Sequence, residues 1–172
     1  MTDAIVRRLQ AADWTMLRDV RLAALASGPE AFGSTLAREL AFGEPDWRRR
    51  IDSPSFVAWR DDEPVGLAGA VNRSEVDRQS SPGDWELVSM WVSPDARGSG
   101  VADLLAAAVV DAVKAEQAER LTLWVADGNA RARAFYLRVG FQPTGARQVF
   151  RRHDGTSFAE EELAYDLLPD SN

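Results

Sequence analysis

Arg97-Gly98-Ser99-Gly100-Val101-Ala102 joins a β-like run that ends at Val92 to a helix-like run that begins at Val101. Two glycines let the backbone turn tightly and approach a ligand with no Cβ in the way. The helix that follows presents unpaired N–H groups at the positive end of its dipole, which is the layout of a pyrophosphate-binding turn. Arg97 adds a fixed positive charge beside them.

Two better-known glycine turns do not fit. A dinucleotide fingerprint needs a third Gly or Ala at position 103 and an acid on the next strand. Position 103 is Asp103, and an acid aimed at a pyrophosphate argues against that layout. The phosphate loop of nucleoside-triphosphate enzymes is excluded because no Gly-Lys-Ser/Thr follows the glycines. The pattern that remains is Arg-x-x-Gly-x-Ala. Downstream lies a second block, Asn129-Ala130-Arg131-Ala132-Arg133-Ala134-Phe135-Tyr136-Leu137-Arg138-Val139-Gly140-Phe141.

The first block fits the Gln/Arg-x-x-Gly-x-Gly/Ala signature of the GNAT superfamily of N-acetyltransferases. The second resembles that family's Asn-x-x-Ala-x-x-Phe-Tyr-x-x-x-Gly-Phe segment, and the two stand in the family's order. The close match covers roughly residues 86–141, and the flanks agree in element order alone. The resemblance implies a single GNAT-like α/β domain over residues 1–172. Its mixed, mostly antiparallel sheet should hold about seven strands, flanked by about four helices. It also implies acetyl-CoA as acyl donor, entering where the strand carrying Met90 splays from the strand at residues 121–125.

Periodicity supplies the elements on either side. Residues 4–9 read as an edge strand, and Asp13 then caps a helix with Trp14, Leu17, Val20 and Ala24 on one face, ended by Gly28-Pro29. Residues 30–51 form a second, broken helical region interrupted by Gly43 and Pro45, whose Arg48-Arg49-Arg50 cluster reads as a solvated helix face. Residues 55–59 and 65–71 are β-rich runs joined by a hairpin connection, and residues 72–83 are the one long loop. A strand at 84–92 leads into the glycine turn. Val101, Leu104, Leu105, Ala108, Val109, Ala112 and Val113 follow the spacing of a helix packed on a sheet. Then come a strand at 121–125, a helix at 129–139 stopped by Gly140, and strands at 142–149 and 163–168. The order is that of a mixed α/β sheet.

Composition bounds the function. The chain of 172 residues, 45% hydrophobic with six tryptophans, is long enough for one sizeable core. No apolar run is long enough to span a bilayer, and Met1-Thr2-Asp3-Ala4 does not begin like a secretory signal, so a soluble cytoplasmic protein with no membrane partner is expected. There is no cysteine, hence no disulfide, thiolate metal site or cysteine nucleophile. A single histidine, His153, leaves no basis for a histidine-rich zinc site, and no metal is expected. The net charge of −7 and pI near 4.8 disfavour nucleic acid and suit a cationic substrate.

Acetyl transfer to an amine needs a neutral amine, a polarised carbonyl and a proton for the departing thiolate. Glu86 matches the catalytic glutamate of the histone-type members and is the candidate base; otherwise it is a carboxylate hydrogen-bonded at a strand edge. Tyr136 matches the family tyrosine beside the cofactor sulfur, and its phenol can protonate the thiolate, whereas Phe135 reads as packing. Met90, Trp91 and Val92 should lend backbone groups to the pantetheine arm, with an amide near Met90 polarising the thioester carbonyl. Arg97, Gly98, Ser99, Gly100, Val101 and Ala102 form the pyrophosphate turn. Asn129 is open to two roles, a pantetheine contact or an ordinary helix cap.

With no cysteine to carry an acetyl group, direct attack by the amine in a ternary complex is the economical mechanism. Acceptor choice falls to residues 27–34 and 72–83, which carry Glu30, Glu75 and Asp77. A module that binds acyl-CoA without transferring it is the alternative, and a homodimer follows from family habit alone. Arg151, Arg152 and His153 read as a solvated loop.

Overall fold

The β-rich runs on either side of Asp61-Asp62 pair as a hairpin and become the second and third strands of a seven-stranded sheet in the computed structural model, which describes residues 3–168. The strands are β1 (Ile5–Arg8), β2 (Ser55–Arg60), β3 (Glu63–Asn72), β4 (Asp84–Val92), β5 (Arg120–Ala126), β6 (Gln142–Arg151) and β7 (Ser157–Asp166). They lie in the order β1-β2-β3-β4-β5-β7-β6, and every neighbouring pair is antiparallel except β4–β5. The mixed, mostly antiparallel α/β sheet expected from the sequence is therefore present. The reading of Met1 and Thr2 lies outside the described residues, as does the chain past Leu168.

Five helices cover the two faces: α1 (Trp14–Ser27), α2 (Leu36–Leu40), α3 (Glu44–Ile51), α4 (Val101–Ala115) and α5 (Ala130–Arg138). The broken region at 30–51 resolves into α2 and α3 because Gly43 caps the start of α3 and Pro45 takes its first turn, where a missing N–H costs nothing. Val101, Leu105, Val109 and Val113 of α4 are all at most 1% exposed against Leu121, Leu123 and Leu87 of the sheet. Each is worth about 1.5–3 kcal/mol relative to exposure. On the other face Leu17 and Val20 of α1 pack with Trp47 and Ile51 of α3 over Val57 and Leu67.

Three details differ from the sequence expectation. The last strand begins at Ser157 rather than 163, because Glu160-Glu161-Glu162 hides a strand whose alternate carboxylates take opposite faces. Asp13 does not cap α1 through its side chain; its carboxylate instead accepts the Gln10 N–H at 2.8 Å, closing a single 3-10 turn ahead of the helix. The basic cluster divides: Arg48 and Arg49 pair with Glu44 and Asp46 on the solvent side, whereas Arg50 turns inward to Glu39.

Glu39 is wholly buried and accepts two guanidinium pairs, from Arg21 at 3.1 and 3.0 Å and from Arg50 at 2.9 and 3.2 Å. Burial alone would raise its carboxyl, but the two guanidiniums outweigh it and hold the group below its ordinary value. Its stabilisation is thus complete above pH 4.5 and is lost as pH falls below that. Glu39→Ala is expected to destabilise the fold by about 3–5 kcal/mol, since it strands Arg21 in the interior. Denaturant unfolding measures this, and a loss below about 1 kcal/mol would mean that Arg21 escapes to water.

Candidate active site

The site starts from a break in the alternation of β4. Leu67 faces Trp91 and Gly69 faces Val88, so Ala68 alone stands opposite Ser89 and Met90, a β-bulge with Ser89 at φ +61°. Trp85 and Leu87 before the bulge point to the α4 face, and so do Met90 and Val92 after it. Trp91 turns to the α1 face, where its Nε1 donates to Ser27 Oγ at 2.8 Å. Arg21 of the buried ion cluster donates to Ser89 Oγ at 3.3 Å and ties α1 to the bulge.

Beyond the bulge the sheet opens. Parallel pairing of β4 with β5 covers only Asp84, Trp85 and Glu86 against Arg120, Leu121 and Thr122. From Leu87 to Val92 the edge of β4 that faces β5 is unpaired, so half of its N–H and C=O groups are directed into a gap. The splay implied for Met90 and the 121–125 strand is therefore present.

The glycine turn sits at the mouth of this gap. Gly98 and Gly100 have φ of +77° and +88°, which side chains with a Cβ rarely adopt. The first helical N–H to bond back is that of Leu104, to Gly100 O at 3.2 Å, so the amides of Val101, Ala102 and Asp103 are free of helical acceptors. Arg97 lies against Val92 O through Nε at 3.3 Å, and Arg131 and Arg138 also line the cleft. Asp103 is gripped by Arg138 through two bonds of 2.8 and 3.1 Å, which offsets the acid beside the turn.

The cleft has a volume of about 1800 Å³ and runs from this turn through the split to the α1 side of the sheet. Such a volume exceeds the 300–1,000 Å³ usual for one small ligand. Glu86, Met90, Trp91, Val92, Arg97, Gly98, Gly100, Ala102, Asn129 and Tyr136 all line it. Ser99 and Val101 do not. Ser99 Oγ turns inward to Ala96 O at 2.6 Å and to Arg60 at 2.8 Å, and Val101 is in the core, so each has only its backbone N–H for a ligand. Asn129 Oδ1 accepts the Ala132 N–H at 3.1 Å and caps α5; its amide nitrogen has no partner among the described residues.

Tyr136 is packed by Phe135 and Phe141, with ring centroids at 5.1 and 5.6 Å. Burial pushes its phenol well above the ordinary value, and its hydroxyl makes no hydrogen bond among the described residues. Glu86 leaves the sheet on the opposite face. Its carboxyl is raised first by burial and then by the charges of Glu160 and Glu162, against the pull of Arg73.

On the Glu86 face of the sheet the sequence missed three groups. Glu160 and Gln148, joined at 2.7 Å, line the cleft from β7 and β6. Arg152, expected to be a solvated loop residue, instead donates to Phe32 O at 2.9 Å and to Glu30 O at 3.1 Å, and stacks over Phe158 at 4.5 Å. It binds the 28–34 segment to the β6–β7 hairpin, and a Cβ on Gly33 would sit 2.9 Å from the Phe150 ring, so no gap remains there. Glu30 and Glu75 line the cleft, but Asp77 does not; it accepts from Gln79 N and Ser80 Oγ within its own loop.

A mixed sheet split at its parallel pair, with the free amides of a helix start at the opening, defines an α/β domain with a cleft through its sheet. The chain belongs to the acetyltransferase (GNAT) family, whose model matches residues 16–141. The fold is similar to the ribosomal-protein-alanine N-acetyltransferase of Brucella melitensis, with a TM-score of 0.71, 20% identity and coverage of 95% of this chain and 99% of that one. It is similar also to a GNAT-family acetyltransferase of Streptococcus pneumoniae, with a TM-score of 0.77, 14% identity and coverage of 96% and 100%. A third likeness is to yncA of Salmonella typhimurium, solved with its cofactor acetyl-CoA, with a TM-score of 0.72, 17% identity and coverage of 99% and 100%. No curated protein matches the sequence. Among the described residues no helix is long and apolar enough to cross a membrane.

Proposed function

We propose that the protein transfers an acetyl group from acetyl-CoA to a primary amine of a small molecule or peptide, by direct attack within a ternary complex. The observation that carries this is the end of β4–β5 pairing at Glu86 and Thr122, beside the free amides of the glycine turn. The residues fit the donor: a turn with positive φ and open space over Gly98 takes the pyrophosphate, and the unpaired β4 edge takes the pantetheine amides. Acetyl-CoA, when bound, supplies an activated acyl group as a thioester.

Glu86 accepts a proton from the acceptor ammonium, directly or through a water, and leaves a nucleophilic amine. A backbone N–H near Met90 polarises the carbonyl oxygen. As the C–N bond forms and the C–S bond breaks, the Tyr136 hydroxyl gives its proton to sulfur, the second proton shed by the nitrogen restores the phenol, and Glu86 passes the first to water. The balance is one ammonium and one thioester consumed, and one amide, one thiol and one proton released.

The deciding experiment is release of free CoA from acetyl-CoA across a panel of polyamines, aminoglycosides, amino acids and short peptides. Acceleration by one class establishes transfer; acetyl-CoA binding with no release across the panel assigns the domain as an acyl-CoA-binding module instead. Gly98→Val is expected to weaken acetyl-CoA binding roughly five- to thirtyfold, because binding must restore a left-handed conformation costing about 1–2 kcal/mol. Calorimetric Kd values decide this, and an unchanged Kd would remove the turn from the site.

A further inference from the structure

In addition to Glu86, the glutamates Glu39, Glu160 and Glu162 are buried on the α1 side of the sheet and Glu161 is half-buried on the other, and their partners differ. Glu39 holds two arginines, Glu161 is paired with Arg133, and Glu162 has Arg73 at 3.2 Å, Arg120 at 3.6 Å and the Thr144 hydroxyl at 3.0 Å. Glu160 is 6% exposed and has only the neutral amide of Gln148, on Oε1. Its Oε2 has no partner among the described residues, yet Glu160 lines the cleft. The arginines nearby are committed elsewhere: Arg73 to Glu162, Arg21 and Arg50 to Glu39, Arg152 to backbone carbonyls. The free oxygen is therefore open to the cleft, where an entering cation can pair with it.

Its place relative to Glu86 sets the kind of cation. Glu86 pairs with Thr122 and Glu160 with Ala126, so the two stand on the same face, four residues apart along β5. That is about 13 Å between the backbone positions along the strand, a spacing that leaves room for two separate cation sites. Trp124 stands on the same face between the levels of Glu86 and Glu160 and lines the cleft, whereas Phe150 and Phe158, 5.6 Å apart, lie beyond Glu160.

Resting on the acetyl-transfer assignment above, we infer that the acceptor is a diamine or polyamine. One amine is presented at Glu86 for acetylation, a second, non-reacting ammonium is held by Glu160 with Gln148, and the methylenes between them cross Trp124. Burial raises the Glu160 carboxyl, as expected of a group awaiting its cation.

The test compares α,ω-diamines of three to eight carbons with the matching monoamines, by calorimetric binding to the CoA-loaded protein and by CoA release from acetyl-CoA. The wild type is expected to favour one diamine length over its monoamine by tenfold or more. Glu160→Gln, isosteric and relieved of an unpaired charge, should fold with an equal or higher Tm, keep its acetyl-CoA Kd, and bring the preference within about twofold. Glu160→Asp should retain part of it. A wild type that treats diamine and monoamine alike, a preference that survives Glu160→Gln, or a Glu160→Gln protein that loses acetyl-CoA affinity overturns the assignment. Monoamine acetylation without diamine preference leaves acetyl transfer standing and removes the second cation site. An E160Q-sensitive diamine preference in binding with no CoA release does the reverse.

Discussion

Replacing Glu86 by glutamine is expected to lower kcat/KM for the amine by about 10²–10⁴-fold at neutral pH, the range typical of a lost general base. Glutamine keeps the shape and loses the proton acceptor, so the Kd for acetyl-CoA should stay within about twofold. The pH profile carries the sharper prediction. Burial and the charges of Glu160 and Glu162 raise the Glu86 carboxyl above 4.5, and the proposed base acts in its ionised form. Activity should therefore rise with pH through the raised value, and that limb should vanish in Glu86→Gln while any limb set by the amine itself persists. A Glu86→Gln enzyme with the wild-type profile would assign the proton transfer to water or another group. The same shift bears on stability with opposite sign. The folded state binds the Glu86 proton more tightly than the unfolded chain, so this group's contribution declines as pH rises from 4.5 through the folded value.

Tyr136→Phe should lower kcat by about a hundredfold, with little change in acetyl-CoA affinity. The phenol is raised by burial and stays protonated at any working pH. In the proposed mechanism it donates because the thiolate forms in the same dry surroundings, where the proton affinity of sulfur rises for the same reason. Among the described residues the hydroxyl has no hydrogen-bond partner, so phenylalanine leaves no protein group unsatisfied and the Tm should be little changed. Single-turnover kinetics with a substrate bearing a more acidic thiol leaving group separates the roles. Such a donor should recover much of the lost rate if Tyr136 serves as acid, whereas a ring needed only to pack against Phe135 and Phe141 would give no defect to recover.

Much of the frame was legible in the chain. The spacing of Val101, Leu105, Val109 and Val113 dictates a helix buried along one face, and Gly98 and Gly100 are residue types that a positive φ demands. The two motif blocks carried the family. The Glu160 side of the cleft was hidden for a different reason. Glu160-Glu161-Glu162 has the composition of a solvated loop, and only pairing with β5 and β6 shows that alternate carboxylates are turned into the cleft and away from it. Arg50 was indistinguishable from Arg48 and Arg49 until α2 placed Glu39 beneath it, and Arg152 from its exposed neighbours until the 28–34 segment crossed the hairpin.

By itself the amino-acid sequence determined the element order and the glycine turn, because these depend on local backbone preference and on periodicity within one segment, while the resemblance to the family supplied Glu86 and Tyr136 as candidates. The tertiary structure alone decided where β4 parts from β5, that Ser89 breaks the alternation with Arg21 against it, and which buried carboxylates are left without a cation. Those outcomes depend on which groups from distant segments share one low-dielectric space. Burial and charge pairing are properties of that space, and no single stretch of chain contains them.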